Sequence, residues 1–310
     1  MMELGINPVA LFAGLVVAAT PLLFAAIGEL VVEKSGVLNL GVEGMMIMGA
    51  VTGFAVGVST GDPGWGFVAA AGAGAALALV FGILTQFLLS NQVATGLALT
   101  LFGLGLAALI GQPYTGIRSP QMPSVFIPWL SDLPVLGRMF FRYDPVVYFG
   151  LFLALAVWFF LGRTRAGLIL RAVGENHDAA HSLGYGVVRI RLAAIAFGGA
   201  CAGVGGAYLS LARVPQWTEG MTAGAGWIAL AIVVFSAWRP GRVVLGAWLF
   251  GGVTILQLNL QASGVAVPAY YLSMLPYLVT ILVLVIISAD RRRASLNAPA
   301  SLGRPFHATG

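Results

Sequence analysis

The chain has 310 residues, of which 59% are hydrophobic and 9% charged, with 42 glycines, one cysteine and a formal charge of +5. Soluble domains carry about 25% charged residues, so this balance excludes a soluble fold and assigns the basic residues to the ends of membrane spans rather than to nucleic acid. The single Cys201, in an apolar run with Gly198, Gly199, Ala200 and Gly203, excludes an internal disulfide and reads as a small packing residue.

Neither 63–117 nor 243–289 contains a charged side chain, and each is more than twice the about 20 residues that one crossing needs. Apolar runs and their polar breaks place spans near 9–31, 42–59, 66–88, 94–110, 146–162, 190–211, 225–238, 243–259 and 273–289. The fold class expected is an all-α polytopic membrane protein with about nine transmembrane helices, within a range of about 8–10. The N-terminus lacks the charged start and cleavage site of a signal peptide, so the first apolar segment is expected to remain as a span. Pro63-Gly64 and Pro240-Gly241 each precede an apolar Gly/Ala-rich run, a hint of paired halves.

An odd number of spans puts the two ends on opposite sides. With the C-terminus inside, Lys34, Arg163, Arg165, Arg171, Arg189, Arg191, Arg239, Arg242, Arg291, Arg292, Arg293 and Arg304 are cytoplasmic, and only Arg118, Arg138, Arg142 and Arg213 are external. That is a strong positive-inside bias. Residues 1–290 then form the transmembrane domain. Within it, the proline- and aromatic-containing 111–145 makes a structured external loop, and 163–191 a cytoplasmic one. In the latter, Asn176 suits an N-cap, Asp178 a first turn, Ala179, Ala180 and Leu183 an apolar strip, and Gly184 a helix stop. The tail, 291–310, combines arginines, prolines, serines and glycines and is expected to be a disordered cytoplasmic anchor.

Several chemistries are missing. The only lysine, Lys34, follows Glu33 rather than glycine, so there is no Walker A loop. The nearest approach to a zinc-protease motif is His177-Asp178-Ala179-Ala180-His181, read here as two exposed histidines, and no hydrolase serine motif occurs. No catalytic residue, metal or cofactor is expected in this chain.

Gly36–Ala50 reads GVLNLGVEGMMIMGA, Asn91–Leu106 reads NQVATGLALTLFGLGL, and Arg171–Asn176 reads RAVGEN, followed by Ala179, Ala180, Gly184 and Tyr185. These segments, in this order, resemble the permease subunits of ATP-binding-cassette (ABC) importers of the branched-chain amino acid and simple-sugar superfamily. The likeness is greatest to the nucleoside uptake permeases that work with basic membrane lipoproteins, and it runs from about residue 15 to residue 290. The resemblance implies a type II importer fold in a bacterial inner (cytoplasmic) membrane, with a second and different permease chain, two ATP-binding subunits and an external solute-binding lipoprotein as partners. It also implies that Glu175, Asn176, Asp178, Ala179, Ala180 and Gly184 belong to a coupling helix seated on the ATPase.

Candidate pathway residues are Asn39 and Glu43, one turn apart if helical, with Asn91 and Gln92 at the start of the fourth span. A mid-membrane carboxylate costs about 3 kcal/mol on insertion scales, so Glu43 should face protein or a wet cavity. Solute contact and a purely structural role both remain open for it. The expected solute is a nucleoside or related sugar-like molecule. The alternatives are a monosaccharide, a branched-chain amino acid, or, in another class, an ion-coupled secondary transporter, for which Glu43 is the sole intramembrane carboxylate candidate.

Overall fold

The computed structural model describes residues 8–126, 128–262, 268–288 and 297–307; the basic triplet Arg291, Arg292 and Arg293 lies outside them. The described residues form an all-helical bundle in chain order α1 (Pro8–Lys34), α2 (Val42–Thr60), α3 (Pro63–Gln86), α4 (Gln92–Gly111), α5 (Leu136–Phe140), α6 (Pro145–Arg163), α7 (Arg165–Glu175), α8 (His177–Ser182), α9 (Val187–Tyr208), α10 (Ala225–Phe235), α11 (Pro240–Ala262), α12 (Ala269–Ser273) and α13 (Leu275–Ser288). Among the described residues, extended backbone pairing is limited to two isolated bridges, Thr115 with Trp217 and Arg118 with Gln216.

Proline and side-chain caps start these helices where water would otherwise have to satisfy free N–H groups. The Asp62 carboxylate accepts from Gly64 N at 2.7 Å ahead of α3, and Asp144 accepts from Val146 N and Val147 N at 2.9 and 3.1 Å ahead of α6. Helices α1, α2, α3 and α9 form the centre. Their buried faces hold Phe24, Ile27, Met46, Phe54, Phe81 and Ile195, and their backbones touch through Gly49, Gly74, Gly199 and Gly203, where no added methyl group would fit. Apolar lipid gives little drive for association, so close glycine contact is what allows such packing. Helices α4, α6 and α11 lie outside, exposing Leu101, Phe102, Phe152, Leu155 and Leu245.

Seven helices are long and apolar enough to cross a membrane among the described residues, α1, α2, α3, α4, α6, α9 and α11. The two remaining expected spans are shorter, 11 residues in α10 and 14 in α13. At 1.5 Å per residue α10 reaches only about 16 Å, half of a hydrocarbon core of about 30 Å. The cause is local: Gly220 and Gly224 both have positive φ (67° and 82°), so 214–224 cannot continue as helix ahead of Ala225.

At 297–307 the expectation of a disordered tail also needs correction; 291–296 and 308–310 lie outside the described residues. Residues 297–307 are fixed against the bundle by hydrogen bonds to Lys34, Gly36, Gly174, Glu175 and Arg191, and Phe306 is buried.

Candidate functional site

Between α1 and α2 the chain does not stay at the bundle end. Leu38 N donates to Gln92 Oε1 at 2.8 Å, Asn39 N to Glu29 Oε1 at 3.3 Å, and Thr100 Oγ1 to Leu40 O at 3.1 Å. Residues 37–41 therefore turn back into the bundle, and α2 begins opposite Leu99 and Thr100, near the middle of α4. Asn39 is in this turn, not on α2. Its Oδ1 accepts from Gly41 N at 2.9 Å and its Nδ2 rests on Met45 Sδ at 3.3 Å, so Asn39 and Glu43 do not share a helix face as the sequence spacing suggested.

Glu43, in the first turn of α2, is buried. Its Oε1 accepts from Thr222 Oγ1 at 2.6 Å and from Gly224 N at 2.9 Å, and its Oε2 accepts from Gly226 N at 2.7 Å. The starts of α2 and α10 thus meet inside the bundle with one carboxylate between them. Free N–H groups and the positive ends of two helix dipoles both favour a negative charge there. A side chain at Gly226 would place its Cβ 2.5 Å from Glu43 N, so the approach requires glycine. The other end of α10 is held as well, by a hydrogen bond from Trp238 Nε1 to Glu33.

Asn91 and Gln92 separate in role. Asn91 is exposed and caps α4, accepting from Ala94 N at 3.0 Å. Gln92 is buried and holds Leu38, while its Nε2 and the Oε2 of Glu29 are buried with no hydrogen-bond partner among the described residues. Glu29, near the end of α1, is thus inside the bundle. Beside the 222–225 turn a cavity of about 400 Å³ opens between α1, the end of α9, α11 and α13, and it carries Arg213, Thr222, Thr254, Gln257 and Tyr277. Sequence reading singles out none of these as pathway residues: Thr254, Gln257 and Tyr277 are isolated polar side chains in apolar runs, and Arg213 and Thr222 border the polar 216–219 stretch.

At the opposite level of the bundle, Asn176 Oδ1 accepts from Ala179 N at 3.0 Å and starts α8, and Gly184 follows it with φ +86°. Glu175, Asp178, Ala179 and Gly184 are exposed. Ala180 is not: it is 2% exposed and packs with Val173, Val187 and Phe306. The apolar strip drawn through Ala179, Ala180 and Leu183 is therefore split, with Ala180 turned inward and Leu183, 77% exposed, turned outward. Arg191 is likewise fully buried instead of flanking α8 on the surface. It donates to Ser35 O at 3.2 Å, Arg304 O at 3.2 Å and Gln86 Oε1 at 3.4 Å, and lies 3.3 Å from His177 Nδ1.

Among the described residues no group of three His, Cys, Asp or Glu side chains comes together around His177 and His181. Their rings instead stand edge-on to Phe306, at centroid distances of 5.4 and 5.3 Å. Burial, and then the nearby Arg191 charge, lower the His177 pKa below its ordinary value of 6.5, with Asp178 opposing.

Long apolar helices, irregular backbone turned into the bundle, and a half-length helix anchored inside it are features found in transport proteins. Residues 11–284 match the family described as branched-chain amino acid transport system / permease component, and the chain belongs to that family. It is similar to a Haloferax volcanii protein named as a candidate glucose ABC transporter permease, TsgC13, with 45% identity over 80% of this chain and 77% of the relative. It is also similar to the guanosine ABC transporter permease NupQ of Bacillus subtilis, with 33% identity over 86% and 88%, and to the nucleoside ABC transporter permease NupC of Lactococcus lactis, with 32% over 88% and 90%. No solved structure matches the chain. The protein is a multi-pass membrane permease of the ABC importer type, a component of a transport complex with other subunits.

Proposed function

We propose that the chain forms one half of the translocation pathway of a type II importer for a nucleoside or related sugar-like solute. The observation that carries this reading is that relatives matched over most of their length are named for guanosine, nucleosides and glucose, solutes that share a polyol ring. The cavity beside the Glu43-anchored turn supports it, since Arg213, Thr254, Gln257 and Tyr277 are the donor and acceptor types that ring hydroxyls need. In this reading 214–224 and α10 together make one crossing and α13 completes another, which gives nine. The C-terminus is cytoplasmic, in a bacterial inner membrane. Glu43 acts by seating α10, and Asn39 and Gln92 by shaping the turn that leads to it. The exposed side of 175–184 docks one of two ATPase subunits, a second and different permease completes the pathway, and an external binding lipoprotein delivers solute.

The test is competition for uptake by the assembled complex in cells. Labelled guanosine should be taken up in an ATP-dependent manner and displaced by other nucleosides. The 45% identical relative supports a second reading, import of a free monosaccharide. Uptake of glucose unaffected by excess nucleoside would select that reading, and uptake that survives ATP depletion while an ion gradient is held would reject both.

A further inference from the structure

A cavity of about 550 Å³ lies between α1, α6, α7 and α9, on the bundle side that carries α7. Its volume falls within the about 300–1,000 Å³ typical of ligand sites, but its wall is hydrocarbon: Val31, Phe160, Ile169, Ile190 and Phe197 line it, with Tyr185 at one edge. A solute with hydroxyl groups has no partner there, so this is not the pathway cavity. Helix α7 forms part of the wall and differs from every long helix of the bundle. Its sequence RAGLILRAVGE puts Leu170 and Val173 inward, Arg165 and Glu175 outward, and leaves Leu168 59% exposed. That amphipathic pattern suits a helix lying along a membrane surface. Exposed arginines stand beside the cavity wall in sequence: Arg163 three residues past Phe160, Arg165 next to the lining Ala166, and Arg189 next to Ile190. None of the three is in an ion pair; the one found among the described residues joins His177 and Asp178.

We infer that this cavity is a binding site for an anionic phospholipid of the adjoining leaflet, with an acyl chain in the cavity and the phosphate headgroup on Arg163, Arg165 and Arg189. Apolar lining alone would accept any chain; the arginines select the charge. Basic pockets between membrane helices hold anionic headgroups in this way, and arginine can present its guanidinium at headgroup level while its stem packs on apolar surface. Because α7 leads directly into α8, an occupied cavity braces the segment proposed to meet the ATPase.

The assembled complex, delipidated in neutral detergent, should be titrated with palmitoyl-oleoyl phosphatidylglycerol or the matching phosphatidylcholine and read by native mass spectrometry. Phosphatidylglycerol should be retained at lower concentration. An arginine near a membrane surface contributes about a fivefold gain in affinity, so R163Q/R165Q should weaken phosphatidylglycerol binding by about 25-fold and leave phosphatidylcholine unchanged. Ala193→Trp, at an exposed position on the cavity wall, should reduce binding of both lipids. The arginine pair is exposed, so that variant keeps the test valid if the tryptophan disturbs folding. Equal binding of the two lipids to the wild type, or unchanged phosphatidylglycerol binding in R163Q/R165Q, overturns the inference. So does efficient cross-linking of a cysteine at position 193 to the second permease, which would make the cavity a subunit contact.

Discussion

Replacing Glu43 with Gln separates an anchoring carboxylate from a solute-binding one. The carboxylate accepts three hydrogen bonds, two on Oε1 and one on Oε2. A carboxamide has the same shape but only one acceptor atom. If its oxygen stays with Thr222 and Gly224, its NH₂ group confronts the Gly226 N–H; if it turns over, it confronts the Gly224 N–H, while the Thr222 hydroxyl can rotate to accept from it. Either orientation loses one charge-assisted bond, worth about 1.5–3 kcal/mol, and leaves a buried N–H without an acceptor, a further about 1–3 kcal/mol. The two surviving bonds also lose their ionic character. The seat of α10 should therefore weaken by about 3–5 kcal/mol.

The assay is the thermal midpoint of the purified complex, by size-exclusion after heating, for wild type, Glu43→Gln, Thr222→Val and the double variant, beside uptake in proteoliposomes. We expect midpoint and uptake to fall together in Glu43→Gln. The Thr222→Val effect should shrink in that background, since directly bonded pairs couple by about 0.5–3 kcal/mol. Lost uptake with a wild-type midpoint and additive effects would refute the anchor and place Glu43 on the solute.

Four other perturbations test the end that carries α8 and the orientation of the chain. Phe306→Ala empties a buried aromatic site, a change of about 3–5 kcal/mol where the site cannot collapse, and should expose 297–307 to protease while the spans stay intact. His177 is lowered first by burial and then by the Arg191 charge, and the docked tail adds to this through the Arg304 charge, with the Phe306 ring against the imidazole; docking is then firm above pH 6.5 and weakens as pH falls below that value, so hydrogen exchange in 297–307 should rise on acidification and do so less in His177→Gln. Leu183→Glu, on the exposed side of α8, should release the ATPase on purification without changing the permease's own thermal midpoint, whereas Ala180→Glu should lower that midpoint by forcing a carboxylate against Val173 and Phe306. A cysteine at Ser124 should react with an impermeant thiol reagent from outside and one at Ser182 should not; both positions are exposed, so sidedness alone decides, and the reverse pattern would overturn the proposed orientation.

The long spans could be read from sequence because lipid imposes a single strong demand, some 20 apolar residues, that few other environments impose. The cap at Asn176 was legible for a local reason: a short polar side chain ahead of an apolar strip has N–H groups to satisfy. The half-length of α10 was not legible, since the charge-free run 220–238 is long enough for a span, and what breaks it ahead of Ala225 is a turn with Gly220 and Gly224 at positive φ, held in place by Glu43, nearly two hundred positions away. The tail misled by composition. Its prolines, serines and glycines are typical of disorder, yet its hold comes mainly from its backbone, through Ser301 N to Gly174 O and Gly303 N to Gly36 O, with one aromatic anchor. Burial of Arg191 did leave a signal. Ala194, Ile195 and Gly198 follow it at helical spacing on one buried face of α9, which puts a guanidinium in line with packing residues.

The turn 35–41 joins the two regions, and its hydrogen bonds divide between them. Ser35 O and Gly36 O accept from Arg191 and Gly303, which belong to the side carrying α8 and the tail. Leu38 N and Asn39 N donate to Gln92 and Glu29, and the chain then enters α2 and reaches Glu43. A second route starts one residue before Lys34, where Glu33 accepts from Trp238 just beyond α10. The half-helix α10 is thus tied at both ends to carboxylates on either side of this turn, so a displacement of the turn must move α10 as a body or break a buried hydrogen bond, and breaking one costs about 1–3 kcal/mol. Contiguity by itself does not establish coupling; the Phe306→Ala variant supplies the missing term. If it keeps its ATPase and its thermal midpoint but loses uptake, the tail and the 35–41 turn transmit motion. If uptake is unchanged, they only hold the bundle end together.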